Sequence, residues 1–143
     1  MSPPQPLKSA HWIWLKGIGG SAPSSLAWTK VPASRALSAG ASSLIILGEI
    51  ERGKEWVERA LLLDPDNLLV RYNAACALTF NNADLEGALD LLQEYFDRVE
   101  SPGNIHHPEI DPDMDPVREH PRFKEMVTSA RQRLGMGEVA ANG

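Results

Sequence analysis

The chain has 143 residues, 43% of them hydrophobic and 23% charged, with a net charge of −5. That length suits one domain of ordinary size, and an acidic balance repels phosphate backbones, which argues against a nucleic-acid partner. One cysteine, Cys76, excludes an internal disulfide and any multi-cysteine metal site, and no apolar run approaches the roughly 20 residues a membrane helix needs.

The start, Met-Ser-Pro-Pro-Gln-Pro, lacks the basic region and apolar block of a signal peptide. A cytoplasmic location with no membrane contact is the expectation. Pro3, Pro4, Pro6, Gly17, Gly19, Gly20, Pro23 and Pro32 interrupt any helix in the first segment. Residues 1–33 therefore read as disordered or as a mis-started stretch. Trp12, Trp14 and Trp28 sit oddly there: they dock on the helical part, mark a short linear motif, or belong to no fold. Gly17-Ile-Gly-Gly20 lacks the Lys-Ser/Thr of a phosphate loop and reads as linker.

The helical domain is expected over 34–134, with a flexible tail at 135–143. Glu51–Leu63 carries Trp56, Val57, Ala60, Leu61 and Leu63 on one side and charges on the other, a stripe of helical period. Asp64-Pro65-Asp66-Asn67 stops it, and Asp66 or Asn67 is placed to cap the next helix. That helix, Leu68 to Phe80, is apolar almost all round, so it packs on more than one side. Asn81-Asn82 ends it, and Asp84 is placed to cap a further helix bearing Leu85, Ala88, Leu89, Leu92 and Phe96. Ser101–Asn104 closes that helix, and Ile105–Asp113 reads as irregular. Asp115-Pro116 predicts a helix start with Asp115 as N-cap. His120-Pro121 predicts a last helix ended by Gly135 in the left-handed conformation.

The two helix pairs share a design. Gly53 and Ala88 hold equivalent small positions 35 residues apart (88 less 53), close to the period of about 34 of tetratricopeptide repeats. Ala41 and Ala60 take further small positions and Leu44 and Val57 the large ones, and Leu92 and Tyr95 stand in register with Val57 and Ala60. Leu47–Asn67 and Arg71–Leu78 resemble repeats of bacterial tetratricopeptide proteins. Asp111-Pro-Asp-Met-Asp-Pro-Val-Arg-Glu-His-Pro-Arg-Phe123 resembles the element that ends the repeat region of bacterial class III adenylate/guanylate cyclases and related TolB-like proteins. The likeness runs from about Ser34 to Leu134. It implies an all-α fold: two antiparallel tetratricopeptide hairpins in an α–α superhelix, a short helix and a C-terminal capping helix. No upstream segment resembles a cyclase catalytic domain, so a cyclase label describes the parent family and not the chemistry of this chain.

Asp111, Asp113 and Asp115 alternate as in a calcium loop, but Pro116 and Arg122 occupy the positions that need Gly and Glu. The three carboxylates read better as a solvated, helix-capping turn. His106, His107 and Glu109 read as a surface loop, and Cys76, among alanines and leucines, as a small core residue. No cofactor, metal or catalytic residue is assigned. In tetratricopeptide proteins the first helix of each pair lines the concave wall, which implies a partner groove at Leu69, Tyr72, Asn73, Cys76, Thr79 and Phe80. Tyr72 and Asn73 are equally suited to packing and capping. The expected function is a non-catalytic module that binds a protein or peptide or self-associates through its first repeat. The alternative is the regulatory tail of a cyclase-like protein cut from its enzyme.

Overall fold

The computed structural model describes residues 33–137. The expected disorder of the N-terminal segment, the roles open to Trp12, Trp14 and Trp28, the Gly17–Gly20 linker and the end of the 135–143 tail lie outside the described residues. Among the described residues the protein is all-helical, with no strand. The α-helices are α1 Ala33–Ile46, α2 Ile50–Leu63, α3 Leu68–Thr79, α4 Leu85–Arg98, α5 Pro102–Ile110, α6 Asp115–Arg118 and α7 Pro121–Arg133, with 3₁₀ turns at Phe80–Asn82 and Pro112–Met114. None is long and apolar enough to cross a membrane.

Local chemistry sets the helix ends. Gly48, at φ +93°, lets the chain reverse after α1, and the Glu49 N–H donates to the Leu44 carbonyl at 2.8 Å. Asn67 Oδ1 accepts from the Val70 N–H at the start of α3, and Asp84 Oδ1 from the Gly87 N–H at the start of α4. Asn81 and Asn82 both have positive φ, 55° and 52°. Asn81 also donates from Nδ2 to the Ile45 carbonyl at 2.9 Å, which ties the α3–α4 turn to the end of α1. Gly135, at φ +69°, ends α7 as its position predicts, with the Met136 N–H on the Arg131 carbonyl.

α1 and α2 pack antiparallel, because Gly53 meets Ala41 and Ile45 while Trp56, further along α2, meets the earlier Gly40. The approach is close enough that only glycine fits. A Cβ on Gly53 would sit 2.4 Å from Ile45 Cγ1 and 3.1 Å from the Ala41 carbonyl oxygen. Ile45 is fully buried and has nowhere to retreat. Gly53→Val is expected to cost about 1–3 kcal/mol through overpacking, read as a lower urea midpoint with an unchanged slope.

α3 and α4 form the second antiparallel pair, with Tyr72 beside Tyr95 at one end and the Asp84 N–H on the Leu78 carbonyl at the other. α3 is the central helix. Val70 and every residue from Tyr72 to Thr79 are buried, because α1, α2, α4 and the Pro112–Met114 turn all pack on it. This is what its nearly all-apolar sequence predicts.

The stretch read as irregular, Ile105–Asp113, is instead mostly helical: α5 and then the 3₁₀ turn. Pro102 stands at the first turn, where its missing donor does no harm. Pro108 removes the donor that would serve the carbonyl four residues back, that of Asn104. Tyr95 replaces it, its hydroxyl donating to the Asn104 oxygen at 2.7 Å. Asp115 is not the N-cap expected of it but the first residue of α6; Asp111 is the capping carboxylate, accepting the Asp113 N–H at 3.0 Å. α7 packs on α4. Phe123 meets Phe96 edge-on, and Arg133 donates to the Phe96 and Val99 carbonyls that α4 leaves unpaired at its C-terminus.

Candidate functional site

The groove face expected on α3 is largely closed. Tyr72, Asn73, Cys76 and Thr79 are all buried, and only Leu69 and Phe80 are partly exposed. This corrects the reading of those six residues as an open partner-binding wall. The physical reason is the C-terminal segment: Asp111 lies against α3 and accepts the Tyr72 hydroxyl at 2.6 Å. Asn73 and Thr79 serve the interior instead, Thr79 by donating back to the Cys76 carbonyl at 2.7 Å. The reading of Asp111 as part of a solvated turn is corrected with it, since Asp111 is fully buried while Asp115 is exposed.

What stays open is a pocket of about 290 Å³ where α3, α4 and α5 meet, lined by Leu69, Tyr72, Tyr95, Gly103, Asn104 and His107. Two of its walls, Leu69 and Tyr72, belong to the predicted groove; the other four residues lie outside it. The Tyr72 and Tyr95 rings lie 5.0 Å apart, and His107 stands edge-on to Tyr72 at 5.9 Å. Both tyrosine hydroxyls are spent inside the protein, on Asp111 and on the Asn104 carbonyl. The pocket still meets an incoming group with polar surface at least as much as with aromatic and aliphatic surface, since both rings are themselves nearly buried. Its walls are fixed by those same hydrogen bonds, so little ordering is required on binding.

Burial, helped by Cys76 and then by Asp111, pushes the Tyr72 hydroxyl well above its ordinary value. Burial also raises Tyr95, with Cys76 contributing. Both phenols are thus held neutral in the fold. Their stabilising effect is complete below about pH 10, where the unfolded phenols titrate, and is lost as pH climbs from there toward the folded values. These are the chain's two tyrosines. An absorbance titration is expected to show no phenolate near pH 10 in the folded protein, then one cooperative step coinciding with loss of helical circular dichroism. Independent ionisation of either tyrosine while the helices persist contradicts it.

His106 lies 3.5 Å from Glu109, and His107 lies 3.5 Å from the buried Asp111. Neither belongs to the loose surface loop expected of them, because both ride on α5. Large apolar side chains stand exposed at Leu47, Leu62, Leu63 and Ile110, the first three on the α1–α2 pair or its turn. No protein-family model, curated protein or solved structure matches this chain.

Proposed function

We propose that the chain is a non-catalytic interaction module of tetratricopeptide type, which seats one amphipathic aromatic side chain of a protein partner in the pocket between α3, α4 and α5. Two antiparallel pairs, small residues at the α1–α2 crossing and the 35-residue offset from Gly53 to Ala88 support the repeat reading. The observation that carries the functional reading is the pocket lining: two tyrosine rings with committed hydroxyls, a histidine edge and Leu69. Such a concave, preformed site, with polar and aromatic groups mixed in its lining, suits an amphipathic aromatic side chain as anchor.

Gly103 provides a clean test. It lines the pocket, and a Cβ there would meet only Ser101 Oγ at an ordinary 3.6 Å. Gly103→Arg is therefore expected to fill the pocket mouth while leaving the unfolding temperature within a few degrees of wild type. Peptides selected from a random display library should share an aromatic residue and lose at least tenfold in affinity against Gly103→Arg. No enrichment, or peptides that bind the variant equally well, sinks the proposal.

A second reading, the regulatory tail of a cyclase-like protein, rests on the Asp111–Phe123 element, which here folds back on α3 through Asp111 and on α4 through Phe123. Under either reading the chain carries no chemistry of its own. Incubation with ATP and a divalent metal should yield no cyclic nucleotide, and its appearance refutes both.

A further inference from the structure

A cluster of a different kind adjoins Tyr72 of the pocket wall, through its hydrogen bond to Asp111. One ligand atom each from Cys76, Asp111 and Asp113 lie within 4.8 Å of one another, with Cys76 and Asp111 fully buried. His107 stands beside Asp111, its Nε2 3.5 Å from Oδ2, just outside the grouping of the other three. We infer that Cys76, His107, Asp111 and Asp113 form a binding site for one zinc-class divalent cation.

Four features carry this. The donor set is mixed: one thiol, one imidazole and two carboxylates, all ligand types that zinc takes. Soft sulfur with nitrogen disfavours magnesium or calcium, which prefer oxygen alone. The spacing fits as well. Bonds of about 2.0–2.3 Å in a tetrahedron hold neighbouring donors roughly 3.3–3.8 Å apart. The 3.5 Å between His107 and Asp111 is long for a hydrogen bond and falls in that range. The Cys76, Asp111 and Asp113 donors need to close by no more than about an ångström, within reach of side-chain rotation, and the His107 ring has to swing toward Cys76 and Asp113 to complete the set.

An outer shell is present too. The Tyr72 hydroxyl donates to Asp111 Oδ2 at 2.6 Å and the Asp113 N–H donates to Oδ1 at 3.0 Å, which fixes the carboxylate's orientation as such contacts do around ligating groups. The Arg118 guanidinium, bound to the Asp111 carbonyl and the Asp115 carboxylate, adds positive charge beside a site that would hold three anionic donors. Last, there is an entrance. Tyr72 and His107 line the pocket, and the His107 side chain is 30% exposed, so a cation arriving from solvent meets the imidazole first. On binding, Cys76 replaces its S–H bond by S–Zn and the proton leaves to solvent, with no change of oxidation state. Affinity therefore rises with pH.

The test uses the full chain freed of metal with a chelator and titrated with Zn²⁺ or Co²⁺ alone. The expected result is one ion per chain. With Co²⁺, a near-ultraviolet thiolate-to-cobalt band should accompany the intense visible bands of a tetrahedral site, and Zn²⁺ should raise the unfolding temperature. Cys76→Ser should abolish the charge-transfer band and weaken Zn²⁺ at least a hundredfold. Because Cys76 is a core residue, Asp113→Asn and His107→Ala, on more exposed side chains, serve as second variants, each weakening Zn²⁺ at least tenfold. Absence of the thiolate band in wild type, or Zn²⁺ affinity unchanged in all three variants, overturns the inference and leaves the cluster a polar brace for the C-terminal segment. Peptide binding is not part of this readout, so the pocket proposal stands or falls separately.

Discussion

Asp111→Ala is expected to cost about 3 kcal/mol, in the range for removing one member of a buried charged network. Its carboxylate has no solvent exposure and accepts two hydrogen bonds, from the Tyr72 hydroxyl and the Asp113 N–H. The first spans 39 positions of sequence and latches the C-terminal segment onto α3. Alanine leaves the Tyr72 hydroxyl buried without that acceptor and takes the cap from the Pro112–Met114 turn. The loss should be local before it is global. Cys76 is fully buried under this segment, so its reaction with a thiol reagent reports the latch opening. Wild type should react slowly, and Asp111→Ala at least tenfold faster under conditions where the helical signal is intact. Asp111→Asn keeps an acceptor oxygen and should lie between the two. Equal thiol reactivity in wild type and Asp111→Ala removes the latch from the account.

The helices that repeat a pattern were readable from the sequence. α2, α3, α4 and α7 each combine a helical stripe with a nearby cap or stop, so short-range chemistry suffices to mark them: Asn67 and Asp84 at the starts, Gly135 at the end. α5 was not readable, because Gly103 and Pro108 look like breakers when only neighbours are counted. The group that rescues Pro108 is the Tyr95 hydroxyl, on another helix. The site divides in the same way. Helical position puts Leu69 and Tyr72 on one side of α3, and both line the pocket. That Asn73, Cys76 and Thr79 face the interior depends on what lies over α3, and no local pattern says that Asp111 does. The alternating aspartates were visible, but alternation is equally compatible with a solvated turn. Only the distant tyrosine separates the buried Asp111 from the exposed Asp115.

Phe96→Ala should be the most damaging single change, with an expected loss of about 3–5 kcal/mol. The ring is 1% exposed and sits between Tyr95 at 5.4 Å and Phe123 at 5.8 Å, edge-on to both. Tyr95 belongs to the pocket and Phe123 to α7, so Phe96 joins the second helix pair to the C-terminal helix. Alanine there forfeits the transfer energy of the ring and leaves a cavity that neighbours held on two different helices are poorly placed to fill. A domain of about 100 residues has roughly 5–15 kcal/mol in total, so this loss consumes a large part of it. The unfolding temperature should fall by well over 10 °C, since each kcal/mol shifts it by about 4–8 °C at this size. Arg133 gives an internal comparison. It reaches the Phe96 carbonyl, a backbone atom that the substitution leaves in place, so Arg133→Ala should cost only about 1 kcal/mol. If the two variants are equally destabilised, the α4–α7 junction is held by capping of carbonyls rather than by packing of rings, and the aromatic column from Tyr95 to Phe123 is not what anchors the C-terminal helix.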